Sequence, residues 1–191
     1  MEFALPITVI SAILLFVIKE VLELFRKSKA KKRKLSALKS VLKEELELNL
    51  WVWKKFESLL TNVKVAEVGS TYEYLVSPSG AERFELLSPD GHGQGQSFPK
   101  VVIEMHSKLV IEVAEIDADM YQKLIGSYKA LSELQHLRNG IVDFIHESRM
   151  GEHYVEGFTG YALEELAPIY DELNALYRYC TGKALTEHRM R

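Results

Sequence analysis

The chain has 191 residues, 47% of them hydrophobic, and 24 Lys and Arg against 27 Asp and Glu leave a net charge of −3. Its single cysteine, Cys180, excludes an intramolecular disulfide and with it a disulfide-stapled secreted module. The 157 residues that follow position 34 suffice for one domain with its own core and call for no second.

The chain opens on an apolar run, Phe3 to Ile18. A bilayer span takes about 20 apolar residues, with a lower limit of roughly 17. Met1 to Ile18 approaches that length, and the Lys19 ammonium can snorkel to the interface. Residues 1–18 therefore read as a single-pass transmembrane anchor. A cleaved signal peptide does not fit, because the only charge before the run is acidic Glu2 and no small-residue cleavage site follows. Two alternatives are a buried helix of a bundle and an interfacial helix, the latter suiting Val21, Leu22, Leu24 and Phe25 better than the run before them.

Residues 19–34 form a basic juxtamembrane segment of net charge +6, while residues 35–191 carry −8. Arg26, Lys27, Lys29, Lys31, Lys32, Arg33 and Lys34 read as a clamp on a bilayer with anionic headgroups, each cation gaining about 1 kcal/mol near such a surface. Cation runs of this length also serve nucleic acid or nuclear import. The acidic body argues against nucleic acid, whose backbone would repel it. With every nearby cation after the run, the positive-inside rule places the N-terminus outside and the rest in the cytoplasm, at an inner (cytoplasmic) membrane.

From Leu35 to about Val65 apolar residues recur at steps of three and four, the pattern of a long amphipathic helix that Gly69 stops. Tyr72, Tyr74 and Val76, then Phe84 and Leu86, alternate with polar residues around Ser-Pro-Ser-Gly, which predicts a small hairpin. Ser88 to Pro99, with glycines at alternate positions and flanking prolines, reads as a flexible loop. It lacks the Lys-Ser/Thr pair of a phosphate cradle. Residues 100–116 fit either a helix or strands, with helix preferred. Asp119 is a candidate cap for a helix running from Tyr121 towards Ser148 and ended by Gly151, and a last helix holds Tyr161 to Tyr177 and stops near Gly182.

The fold class expected is therefore all-α: a transmembrane helix, then a cytoplasmic helical bundle over residues 35–191 with a small β-hairpin insertion. No histidine or cysteine spacing makes a metal site, and nothing calls for a cofactor. The adjacent carboxylates Glu44-Glu45 and Glu164-Glu165 read as solvated faces, Trp51, Trp53 and Phe56 as bundle packing, and the Cys180 thiol as idle.

The stretch Leu137-Arg-Asn-Gly-Ile-Val-Asp-Phe-Ile-His146 resembles the Arg-Asn-x-x-x-His signature of HEPN domains. That resemblance implies an all-helical bundle and, in active members, metal-independent RNA cleavage by an Arg and a His brought together with those of a dimer mate. Arg138 and Asn139 match, but Asp143 stands where the His is expected, and an exposed Asp stays ionised near neutrality and is a poor acid. His146 lies eight residues from Arg138, about 12 Å along a helix. The function expected is an interaction module, as a self-associating sensor or a defence-system component, with a protein partner or a second copy suggested by the long amphipathic helices. The alternatives are a tethered HEPN-like ribonuclease using Arg138 with Asp143 or His146, and a structural subunit of a membrane complex.

Overall fold

The computed structural model describes residues 7–147 and 153–186. Among them run α1 (Ile7–Lys64), β1 (Thr71–Val76), β2 (Glu82–Leu87), β3 (Gly93–Ser97), α2 (Glu104–Ile116), α3 (Ala118–Glu147) and α4 (His153–Thr181). The chain divides into two units, residues 1–38 and 39–191.

In the first unit, α1 contains neither Gly nor Pro, so nothing interrupts its hydrogen-bond ladder. The transmembrane expectation is overturned here: among the described residues no helix is long and apolar enough to cross a membrane. The charge-free part of α1 runs only from Ile7 to Ile18, about 18 Å at 1.5 Å per residue against a hydrocarbon core of about 30 Å. Lys19, Glu20 and Glu23 then interrupt it. The single-pass localisation, and the sidedness drawn from it, fall with the span. Met1 to Pro6, the start of the proposed anchor, lie outside the described residues.

The second unit is built on the remainder of α1. Leu42, Leu46, Leu50, Phe56, Leu59, Leu60 and Val63 are buried along it, as the apolar period demands. Gly69, at φ +88°, turns the chain into the sheet. The sheet has three antiparallel strands in the order β1-β2-β3, one more than the expected hairpin. Tyr72 pairs with Leu86 and Phe84 with Gln96. The stretch taken for a loop thus contains β3, whose Gly-Gln-Gly-Gln-Ser offers backbone groups to β2 without the β-branched side chains that signal a strand. Rings tie this region to helices: Phe98, just after β3, lies 5.2 Å from Phe56, and Tyr72 in β1 lies 5.5 Å from Phe144.

The segment 98–103 is irregular, and only from Glu104 does the expected helix form. Asp117, not Asp119, caps α3: its backbone is extended, and its carboxylate accepts from the Met120 N–H at 3.0 Å. The buried face of α3 includes Met120, Leu124, Leu131, Leu134, Ile141 and Ile145, and α4 adds Leu166, Ile169, Leu173 and Leu176. Gly182, at φ +75°, closes α4 by donating to the Arg178 carbonyl at 2.7 Å. The chain then folds back, with Leu185 buried and its N–H held by Asn174. Gly151, expected to end α3, lies outside the described residues.

Candidate functional site

The first part of α1 exposes what a folded body normally hides. Ile13, Leu15, Phe16, Leu22, Leu24 and Phe25 are all exposed, Phe25 to 69%. Between Lys19 and Phe25 the helix is amphipathic: at 100° per residue Lys19, Glu20 and Glu23 share one side, and Val21, Leu22, Leu24 and Phe25 the other. The seven cations Arg26, Lys27, Lys29, Lys31, Lys32, Arg33 and Lys34 follow, all exposed. Glu23 pairs with Lys27 one turn on at 2.8 Å. That hydrogen bond and its charge hold the Glu23 carboxyl below, and the Lys27 ammonium above, their ordinary ranges. Apolar side chains and a dense positive charge therefore occupy consecutive turns of one helix.

The three candidates for RNA chemistry are placed differently. Arg138 is nearly buried and fully engaged: it pairs with the Glu82 carboxylate, donates through Nε to the Pro99 carbonyl at 3.2 Å, and lies over the Phe98 ring at 4.9 Å. Glu82 also accepts from the Tyr74 hydroxyl at 2.7 Å and pairs with Lys100 at 3.1 Å. Burial pushes the Glu82 carboxyl up, but the bonds from Tyr74 and Lys100 and the charges of Arg138 and Lys100 together hold it below the usual range. Asp143 and His146 are exposed, as is Asn139, which accepts from the Gln135 side chain at 2.9 Å. Within α3 the Arg138 guanidinium is thus a tie to the sheet.

A constellation that sequence reading missed lies inside the second unit. Glu45, His106 and Ser127 come from α1, α2 and α3: His106 Nδ1 lies 2.7 Å from Glu45 Oε1, and His106 Nε2 lies 2.9 Å from Ser127 Oγ. The carboxylate–imidazole–hydroxyl order is that of a nucleophilic triad. Its surroundings are not: His106 and Ser127 have no exposed surface and Glu45 only 3%. A sealed hydroxyl meets no substrate, so the three side chains act as a tie between helices. Glu45 also accepts from the Met105 and His106 N–H groups, capping an α2 whose own first turn has no side-chain cap. One turn along α1, the Asn49 amide donates to the Val102 carbonyl at 2.6 Å and accepts from its N–H at 2.9 Å, fixing the irregular segment.

The signal for these residues was present in the sequence. Leu38, Leu42, Glu45, Asn49, Val52, Phe56, Leu59 and Val63 recur at alternating steps of four and three, and Glu45 and Asn49 are the two polar members. A polar residue in such a stripe needs a buried partner.

Clefts open among the described residues of the second unit. One of about 380 Å³ is lined by Trp51, Val52, Glu82, Phe98 and Lys100 among others. Another, about 310 Å³, lies beside β3 between Asn62, Phe84, Leu86 and Gln94 to Gln96. Cys180 is half-buried, and burial pushes its thiol up to about 11. Among the described residues no group of three or more His, Cys, Asp or Glu side chains could hold a metal ion. No family model matches the chain, and neither a curated protein nor a solved structure is similar to it.

Proposed function

We propose that this chain is an interaction module that docks on an anionic lipid surface through the first part of α1, lying on the surface and not crossing it. The observation that carries the reading is the succession of exposed Val21, Leu22, Leu24 and Phe25 and then seven exposed cations on one unbroken helix. An interfacial helix sinks its apolar side about 5–10 Å into the boundary between headgroups and acyl chains. Lys and Arg beside it add about 1 kcal/mol each near an anionic leaflet, an attraction that salt weakens.

A second copy on the same apolar residues is the competing occupant. A parallel copy would lay seven cations against seven, and an antiparallel one would bring each run of seven only Glu20 and Glu23 of the other copy as counter-charge. An anionic surface satisfies the apolar and cationic parts together. The engagement of Arg138 with Glu82, Pro99 and Phe98 supports interaction over RNA cleavage, because that guanidinium is already committed.

The test uses the full chain with Cys180→Ser and Phe25→Cys, labelled at residue 25 with an environment-sensitive fluorophore. Vesicles containing phosphatidylserine should shift its emission to the blue, and vesicles of phosphatidylcholine alone should do so weakly. Equal response to both, or a shift that tracks protein concentration without vesicles, would refute the lipid reading; the latter would indicate a second copy.

A further inference from the structure

The outer edge of β3 carries a pattern that matches itself. The Phe98 N–H bonds to the Glu82 carbonyl and the Ser88 N–H to the His92 carbonyl, so in the β2–β3 register the even-numbered residues exchange main-chain bonds. Gln94 and Gln96 therefore spend their backbone groups on β2, and Gly93, Gly95 and Ser97 turn theirs outward. The sheet order ends at β3, and all three residues are exposed. Natural edge strands are guarded by charges, prolines or bulges. Gly-Gln-Gly-Gln-Ser has none of these along its length.

We infer that β3 pairs antiparallel with β3 of a second copy, about a two-fold axis at Gly95, joining two three-stranded sheets into one of six. In that register Gly95 faces Gly95, and Gly93 faces Ser97 at both ends, which satisfies all the outward N–H and C=O groups reciprocally. Gln94 of one copy then faces Gln96 of the other, twice, at the close spacing of non-hydrogen-bonded pairs, where each amide can both donate and accept. The register is singled out because a slip by one residue would set outward-turned residues of one copy against inward-turned residues of the other, and a slip by two would leave an end residue of each strand unpaired. Neither glycine places a side chain in the path of an approaching strand. The committed occupant is β3 itself, because its uncharged amide side chains are the complement that its own edge requires. This inference concerns residues other than those of the lipid reading and fails or stands separately from it.

Sedimentation equilibrium of the full chain over a concentration series tests it. The wild type should rise towards the mass of two copies. Gln94→Lys with Gln96→Lys places Lys against Lys at both contacts and should hold the chain at one copy. Gln94→Lys with Gln96→Glu places Lys against Glu at both and should restore the pair. Gly95→Pro removes an outward donor while sparing the β2 ladder, and should also give one copy. Circular dichroism identical to wild type certifies the fold of each variant, and hydrogen exchange of the wild-type β3 amides replaces any variant that fails that check, since only a covered edge slows the outward Gly95 amide as concentration rises. A wild type that stays at one copy throughout, a mass indifferent to the Lys-Lys change, or a Lys-Glu variant that does not recover would overturn the inference.

Discussion

The Glu45 carboxylate lies 2.7 Å from His106 Nδ1 and, with the same two oxygens, accepts from the backbone N–H groups of Met105 and His106. One side chain on α1 thus starts α2 and, through the imidazole, reaches Ser127 on α3. A carboxylate only accepts, so Nδ1 carries the proton towards it, and in the neutral ring Nε2 accepts from the Ser127 hydroxyl.

Glu45→Gln keeps one accepting oxygen and replaces the other with a donor, so a buried N–H loses its partner. The expected cost is about 2–3 kcal/mol, from the loss of a charge-assisted bond in a sealed site. Ser127→Ala should cost about 1 kcal/mol, the ordinary worth of one such bond. Urea unfolding followed by far-ultraviolet circular dichroism measures both, with midpoints lowered at unchanged slope.

How far the sequence carried is clearest at these positions. The stripe from Leu38 to Val63 announces a long helix, and its burial follows the pattern. Glu45, read with Glu44 as a solvated pair, is buried instead, since adjacent residues on a helix point about 100° apart and only one of them joins the stripe. β3 was illegible because Gly and Gln carry no strand preference and the pairing with β2 supplies it. The amphipathic turn of Val21 to Phe25 was readable; the span was not, because Lys19, Glu20 and Glu23 close the apolar run after Ile18.

Arg138→Ala removes one of three partners of a nearly buried Glu82, leaving Tyr74 and Lys100, and should destabilise the fold by about 1.5–3 kcal/mol, the worth of a hydrogen bond to a charged group. Adding Glu82→Gln should recover part of that loss, because a neutral amide replaces the carboxylate that has lost its guanidinium. Chemical denaturation of the two single variants and the double variant gives the coupling. Incubation of the wild type with total RNA is expected to leave the RNA intact; cleavage that Arg138→Ala abolishes would restore the ribonuclease reading.

The Tyr179 hydroxyl donates to Asp117 at 2.7 Å, and that bond, with burial, pushes Tyr179 up to about 12. A folded value above the unfolded one means stability fully present below about pH 10 and lost as pH rises through about 12. Asp117 has the opposite sign: the Met120 N–H, the largest cause, and the Tyr179 hydroxyl hold it low. Its contribution is present above the unfolded value of about 4 and lost as pH falls through the folded one. Absorbance titration near 295 nm should show a late-ionising tyrosine component that moves down in Asp117→Asn.

Trp53 donates its indole N–H to the Leu166 carbonyl at 2.7 Å, two residues before Pro168 in α4. Trp53→Phe keeps a ring near Tyr170 but loses the indole's bond to that carbonyl, and should cost about 1 kcal/mol. A thermal melt of the variant, run beside the wild type, checks it.

The lipid reading is tested most directly by co-sedimentation of the full chain with vesicles of increasing phosphatidylserine content, at low and high salt. Binding should rise with anionic fraction and weaken with salt, and fall about tenfold or more both in Lys31→Glu with Lys32→Glu and in Leu24→Ser with Phe25→Ser. Binding that ignores anionic content and salt, or that survives both pairs of changes, would contradict it.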